Sequence, residues 1–197
     1  MNIITKLEKK VEEWNLLNHP FYQAWNSGDL PESALKIYAE EYGAFIAILP
    51  IGWRGVGDEE TAQEEEEHIE LWEQFAGGLG TRVGDAKIEE VKELIEKSID
   101  MFGKPATALG ALYAFEVQQP ETAKSKLSGL REFYELSVTT ETYFERHTTN
   151  EHESKKLADN ISLLEARDQY AALDACEIMS KSLWDALTGI YDAELGM

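Results

Sequence analysis

The chain has 197 residues and carries 38 acidic against 18 basic side chains, a formal charge of −20. A charge of that sign and size repels phosphate backbones and anionic membrane surfaces, which argues against a nucleic-acid or membrane-surface partner. The length suits one domain over residues 1–197. No apolar run reaches the roughly 18 residues of a membrane span, and the first residues lack the apolar core of a signal peptide, so a cytoplasmic protein is expected.

Apolar residues recur at helical spacing almost throughout, and no stretch alternates with period two between turn signals, so the chain reads as all-α. A first amphipathic helix is predicted over NIITKLEKKVEEWNLL, a short second one from HPFYQAW, and a third from Pro31 in its first turn to about Ile48. LPIGWRGVG, with its glycines and proline, reads as a loop. Asp58 and the glutamates after it open a helix whose N-terminus favours negative charge and which runs through HIELWEQFAGGLG to the glycine cluster. Another helix covers about Asp85 to Phe102. KPATALGALYAFEVQQPETAKSKLSGL is apolar on most faces before Glu116, which predicts a central helix kinked or restarted at Pro120. Thr139 or Thr140 is placed to cap a helix carrying YFERHTTNEHESKK, and EARDQYAALDACEIMSKSLWDALTGIYD supplies a long C-terminal helix that closes the bundle. Cys176, the only cysteine, falls on the buried face of that last helix and has no partner for an internal disulfide.

Three places combine acids and histidines. In QEEEEHIELW, Glu65 and Glu64 precede His68 by three and four positions, so either carboxylate shares a helical face with the imidazole, flanked by Ile69 and Trp72. Most of these glutamates form a solvated face, and a lone histidine beside apolar neighbours is more often a hydrogen-bonded core residue than a ligand. Glu116 stands among Leu109, Leu112, Tyr113 and Phe115, where a carboxylate is costly unless paired, hydrogen-bonded or bound to a cation. In YFERHTTNEHESKK, His147 and Glu151 are four apart and project from one face, whereas His152 points elsewhere on a regular helix. A Glu/His pair, a central Glu and a His/Glu pair on three helices are the ingredients of a carboxylate-bridged dinuclear iron or manganese site inside a bundle.

NHPFYQAWNSGDLPESALKIYAEEYGAFI, HIELWEQFAGGLG, ALYAFEVQQPETAKSKLSGL and YFERH together resemble the CADD-like branch of the heme-oxygenase-like di-metal oxidases, over most of the chain. Either the HPFY start or the LYAFE segment alone is also similar to the wider group that holds the TenA thiaminases and PqqC. The resemblance implies a heme-oxygenase-like bundle of seven to eight helices, a cofactor of two iron ions or of iron and manganese, dioxygen as co-substrate, and a homodimer. His68, Glu116 and His147 match the family's ligands, and Glu151 stands where the family has an aspartate. Two ligand positions depart from the pattern: Thr61 falls where the first carboxylate is expected, so Glu64 or Glu65 must substitute, and Ser154 falls where the last histidine is expected, which His152 replaces only if the helix is locally deleted or π-bulged. Members of this branch make para-aminobenzoate for folate from one of their own tyrosines, with a lysine as amino donor. Tyr22 matches the consumed tyrosine, Lys126 the donor and Tyr38 an auxiliary tyrosine. The alternatives are a metal-free enzyme of the TenA or PqqC kind, and a non-catalytic interaction protein whose acidic face around Glu64 to Glu67 binds a basic partner.

Overall fold

The computed structural model describes residues 2–196, and among them every regular element is helical. Eleven α-helices follow in order: α1 (Ile3–Glu13), α2 (Pro20–Ser27), α3 (Glu32–Ile46), α4 (Leu49–Gly55), α5 (Glu59–Gly78), α6 (Glu89–Phe102), α7 (Pro105–Glu116), α8 (Gln119–Phe133), α9 (Thr142–His147), α10 (His152–Ser162) and α11 (Ala166–Leu195). Helices α3 and α4, α6 and α7, and α7 and α8 are each joined by only two residues. Among the described residues no helix is long and apolar enough to cross a membrane.

Local chemistry sets most boundaries. Asn2 caps α1 by accepting the Thr5 N–H at 2.8 Å, and Asp58 caps α5 through Thr61 at 3.2 Å. His19 caps α2 in the same way: its Nδ1 accepts the Phe21 N–H at 3.0 Å, which leaves the proton on Nε2 to bond Thr188 Oγ1, also at 3.0 Å. Pro120 stands in the first turn of α8, where its missing N–H costs nothing, so the chain restarts there as expected.

The core is built around α7, which packs lengthwise on α11 and is also covered by α4, α6 and α10. From Ala108 to Glu116 every residue of α7 is buried, the physical reason this segment is apolar on all faces. Gly110 permits the closest approach, because a Cβ there would overlap the carbonyl oxygen of Ala172 on α11. Cys176 faces this core, fully buried, and burial pushes its thiol up to about 12.

Several boundaries differ from the sequence reading: α1 stops at Glu13 instead of running through Leu17, and α6 starts at Glu89 instead of about Asp85. Residues 49–55 form α4 rather than a loop; Pro50 sits harmlessly in its first turn, and Gly52 lets the ring of Phe102 approach where a Cβ would intrude. The helix expected over YFERHTTNEHESKK is two helices, broken at residues 148–151. Neither Thr139 nor Thr140 caps α9: Glu141 holds that position without a side-chain bond, while Thr140 Oγ1 donates to Ser137 O.

Candidate metal centre

Five ionisable side chains converge where α5, α7, α9 and α10 meet. Glu65 and His68 point inward from α5, Glu116 ends α7, His147 ends α9, and Glu153 lies in the first turn of α10. All five are between 1% and 4% exposed. They form two groups of three, Glu65 with His68 and His147, and Glu65 with Glu116 and Glu153, in each of which one donor atom per residue lies within 4.8 Å of the others. Glu65 belongs to both groups.

The donors are poised as acceptors. His147 Nδ1 sits 2.7 Å from the Tyr143 carbonyl oxygen, which can only accept, so the proton is on Nδ1 and Nε2 keeps its lone pair. The His68 and His147 rings lie 4.5 Å apart, and Glu65 Oε1 is 3.3 Å from His68 Nδ1. Burial, and then the neighbouring His68, lower His147 to about 3, so it is neutral near pH 7. Burial also works to lower His68, but the adjacent Glu65 outweighs it and the net direction is upward. Burial, then the charges of Glu153 and Glu65, hold the Glu116 carboxyl well above the usual carboxylate range, and burial with Glu65 raises Glu153 too.

Glu116 Oε1 and Glu153 Oε1 are buried without a hydrogen-bond partner, and His68 Nδ1 has only its 3.3 Å charge contact with Glu65 Oε1, which is not aligned as a hydrogen bond. Glu41 shows what a satisfied buried carboxylate looks like in the same protein. It is 4% exposed, and its Oε2 accepts the N–H groups of Lys87 and Ile88 at 2.9 and 3.0 Å. With these three unpartnered atoms among them, the three carboxylates and two imidazoles of the cluster are a donor set that fits iron or manganese.

Sequence spacing and structure differ on the periphery. Glu151 is exposed at the N-cap of α10, because α9 ends at His147 and the intervening turn removes any common face. His152 is 72% exposed and meets Glu153 from outside, with its Nε2 at 3.9 Å from Oε1. Of the two glutamates left open, Glu65 faces the centre, while the half-buried Glu64 groups with His152 and Glu153. Thr61 is committed elsewhere: its hydroxyl donates to Asp58 Oδ2 at 3.0 Å and accepts from Lys156 Nζ at 3.2 Å, tying α5 to α10. Ser154 bonds back to the Glu151 carbonyl at 3.1 Å. Glu153 escaped the sequence reading because only the break between α9 and α10 rotates it inward, where Asn150 Nδ2 holds its Oε2. The one available signal was the TTN stretch after His147, which weakens a helix.

Beside this cluster lies a second one. Tyr22 and Tyr38 place their hydroxyls 3.3 Å apart, and Lys126 Nζ donates to Tyr38 Oη at 3.2 Å. All three are at most 2% exposed. Burial lowers Lys126 to about 7, and it raises both phenols. The ammonium position is 5.4 Å from the Tyr22 ring centre. Ring contacts join the two clusters: Trp72 lies 5.5 Å from Tyr38 and 4.7 Å from Tyr143, whose ring is 4.2 Å from His147.

Residues 53–184 match the sequence profile of iron-containing redox enzymes. The chain is 27% identical over 213 residues to a protein named 4-aminobenzoate synthase from Chlamydia pneumoniae, covering 96% of this chain and 95% of that one. A protein of unknown function with a heme oxygenase-like fold from Shewanella denitrificans superposes with a TM-score of 0.82 at 17% identity, over 96% of this chain and 92% of that one. A CADD-like protein of unknown function from Nostoc punctiforme does so with a TM-score of 0.66 at 14% identity, over 98% and 97%. At such identities the two structures speak for the fold alone, which is heme-oxygenase-like.

Proposed function

The chain belongs to the family of iron-containing redox enzymes, an enzyme of the heme-oxygenase-like oxidase type, and from that premise we propose that it is a dioxygen-dependent oxidase forming 4-aminobenzoate from its own Tyr22. The observation that carries this reading is the adjacency of two buried clusters. One is a set of orphaned metal donors, and the other is a tyrosine pair with a buried lysine.

Glu65, His68, Glu116, His147 and Glu153 would hold two ions, iron or iron with manganese. When bound, such ions supply electrons to dioxygen. The protein's own groups do the positioning. 4-Aminobenzoate has one carbon more than its ring, so Tyr22 contributes ring and Cβ and the bond broken is Cα–Cβ. Dioxygen would carry the oxidation of Cβ to the carboxylate and of the ring. The Lys126 amine would then condense at the oxidised ring carbon, the phenol oxygen leaving as water, and hydrolysis of the tautomerised imine would free the aniline and leave the lysine Cε as an aldehyde. For that the amine must be neutral, a state burial makes accessible from about pH 7 upward. Tyr38 accepts a hydrogen bond from Lys126 and meets the Tyr22 hydroxyl, so it orients donor and ring together. The aromatic walls of Phe21, Trp25 and Phe144 keep water from both.

The test is single-turnover chemistry on iron-loaded protein given a reductant and oxygen. Expected are at most one 4-aminobenzoate per chain, a loss of mass mapping to residue 22, and no product from Tyr22→Phe or Lys126→Arg. Product formed by Tyr22→Phe at the wild-type yield, or by metal-free protein, would overturn the reading.

A further inference from the structure

We propose that Glu64, His152 and Glu153 form an outer divalent-cation site at the mouth of a cavity, from which metal ions pass to the buried centre. This rests on the reading that the buried cluster holds metal. Donor atoms of these three residues lie within 4.8 Å of one another, a preformed set of two carboxylates and an imidazole. They line a cavity of about 410 Å³ that opens to solvent and reaches His68.

Exposure falls along the set: His152 is 72% exposed, Glu64 is half-buried and Glu153 is 1% exposed. Glu153 is the hinge of the idea, because it belongs both to this group and to the inner one with Glu65 and Glu116. Its Oε1, without a hydrogen-bond partner, is the oxygen nearest His152 Nε2, at 3.9 Å, while Oε2 is anchored by Asn150. One oxygen is therefore fixed and the other is free to be shared between outside and inside.

A hydrated divalent ion cannot enter a site whose ligands are at most 4% exposed without shedding water. Exchanging that water first for His152 and Glu64, and then for Glu153, divides one large dehydration cost into smaller steps. Arg146 lines the same cavity, and its positive charge limits how tightly the outer site can hold an ion. Weak retention suits a transfer site, because an ion held tightly there would not move inward.

The probe is cobalt(II), mixed anaerobically with metal-free protein and followed by its ligand-field absorption in a stopped-flow instrument. The Glu64→Gln/His152→Ala double variant is expected to load roughly tenfold more slowly at limiting cobalt, yet to reach the wild-type end point of two ions and the wild-type gain in melting temperature. His152 is exposed and Glu64 half-buried, and both substitutions leave the inner five donor residues in place. Loading at the wild-type rate, with two ions still bound, would sink the outer site alone. A lowered end point would overturn it differently, by making these residues part of the inner centre. If wild-type protein takes up no cobalt, the dinuclear reading fails and the outer site with it.

Discussion

Glu41 and Glu116 are both buried glutamates, and what separates them is the partner each oxygen finds. Glu41 accepts hydrogen bonds from backbone N–H groups ahead of α6, whereas Glu116 faces two other carboxyls. A folded-state value raised above the unfolded one stabilises at low pH, and that contribution is lost as pH rises through the folded value. Metal-free protein should therefore lose stability on this account above the ordinary carboxylate range, and Glu116→Gln should relieve it. The variant is expected to be about 1–3 kcal/mol more stable than wild type at pH 8 without metal, read by urea denaturation, while its metal content falls. Lys126 runs the other way. Its value drops to about 7, so burial disfavours folding most below that pH and the penalty fades as pH rises toward the unfolded lysine range. Lys126→Met should accordingly stabilise the fold at pH 6 and flatten the pH dependence of the urea midpoint above pH 7. In the wild type, single-turnover product rate should climb between pH 6 and 8 with a midpoint near 7, as the amine becomes neutral. A rate that falls over that interval would contradict Lys126 as the nitrogen donor.

At the scale of elements, the centre depends on how closely α7 lies against α11. Gly110 is the contact point, and Glu116 is carried on the same helix less than two turns further along. Gly110→Ala should push the helices apart, with a loss of about 1–3 kcal/mol in denaturant unfolding and weaker metal binding. Gly77→Ala is the matched control. It is helical with open space where its Cβ would go, so it should gain up to about 1 kcal/mol instead. The turn between α9 and α10 matters for the opposite reason. A continuous helix would carry Glu151 inward, but the break turns it to solvent and brings Glu153 to the centre.

For the whole molecule, −20 of formal charge means that folding gathers like charges together. Several arginines offset this locally, as Arg54 does with Glu59 and Glu66, but such exposed pairs contribute little. Raising sodium chloride from 20 mM to 500 mM should therefore raise the melting temperature, because screening acts on the excess of repulsions. A fall would mean that the ion pairs dominate. Cations bound at the centre act by linkage as well as by screening. Iron or manganese at a hundred times its dissociation constant should add about 2.7 kcal/mol per ion bound, roughly 5–10 °C each for a chain of this size, and Glu116→Gln should lose most of that gain.

The all-helical architecture, the central place of α7 and the inward face of His68 were legible because hydrophobic periodicity is local and its physics is the same in every sequence. HIELW and LYAFE announce their buried faces without reference to the rest of the chain. The choice between Glu65 and Glu64, the exclusion of Glu151 and the recruitment of Glu153 were not legible. Adjacent glutamates on one helix differ only in rotation toward a partner that another helix supplies, and the direction of Glu153 depends on a turn whose geometry is set by packing. By itself the sequence determined which residue types are present in helical register, because that follows from neighbours along the chain. Only the tertiary structure decided which of them share one buried space, because distance between helices and the absence of water are properties of the packed whole.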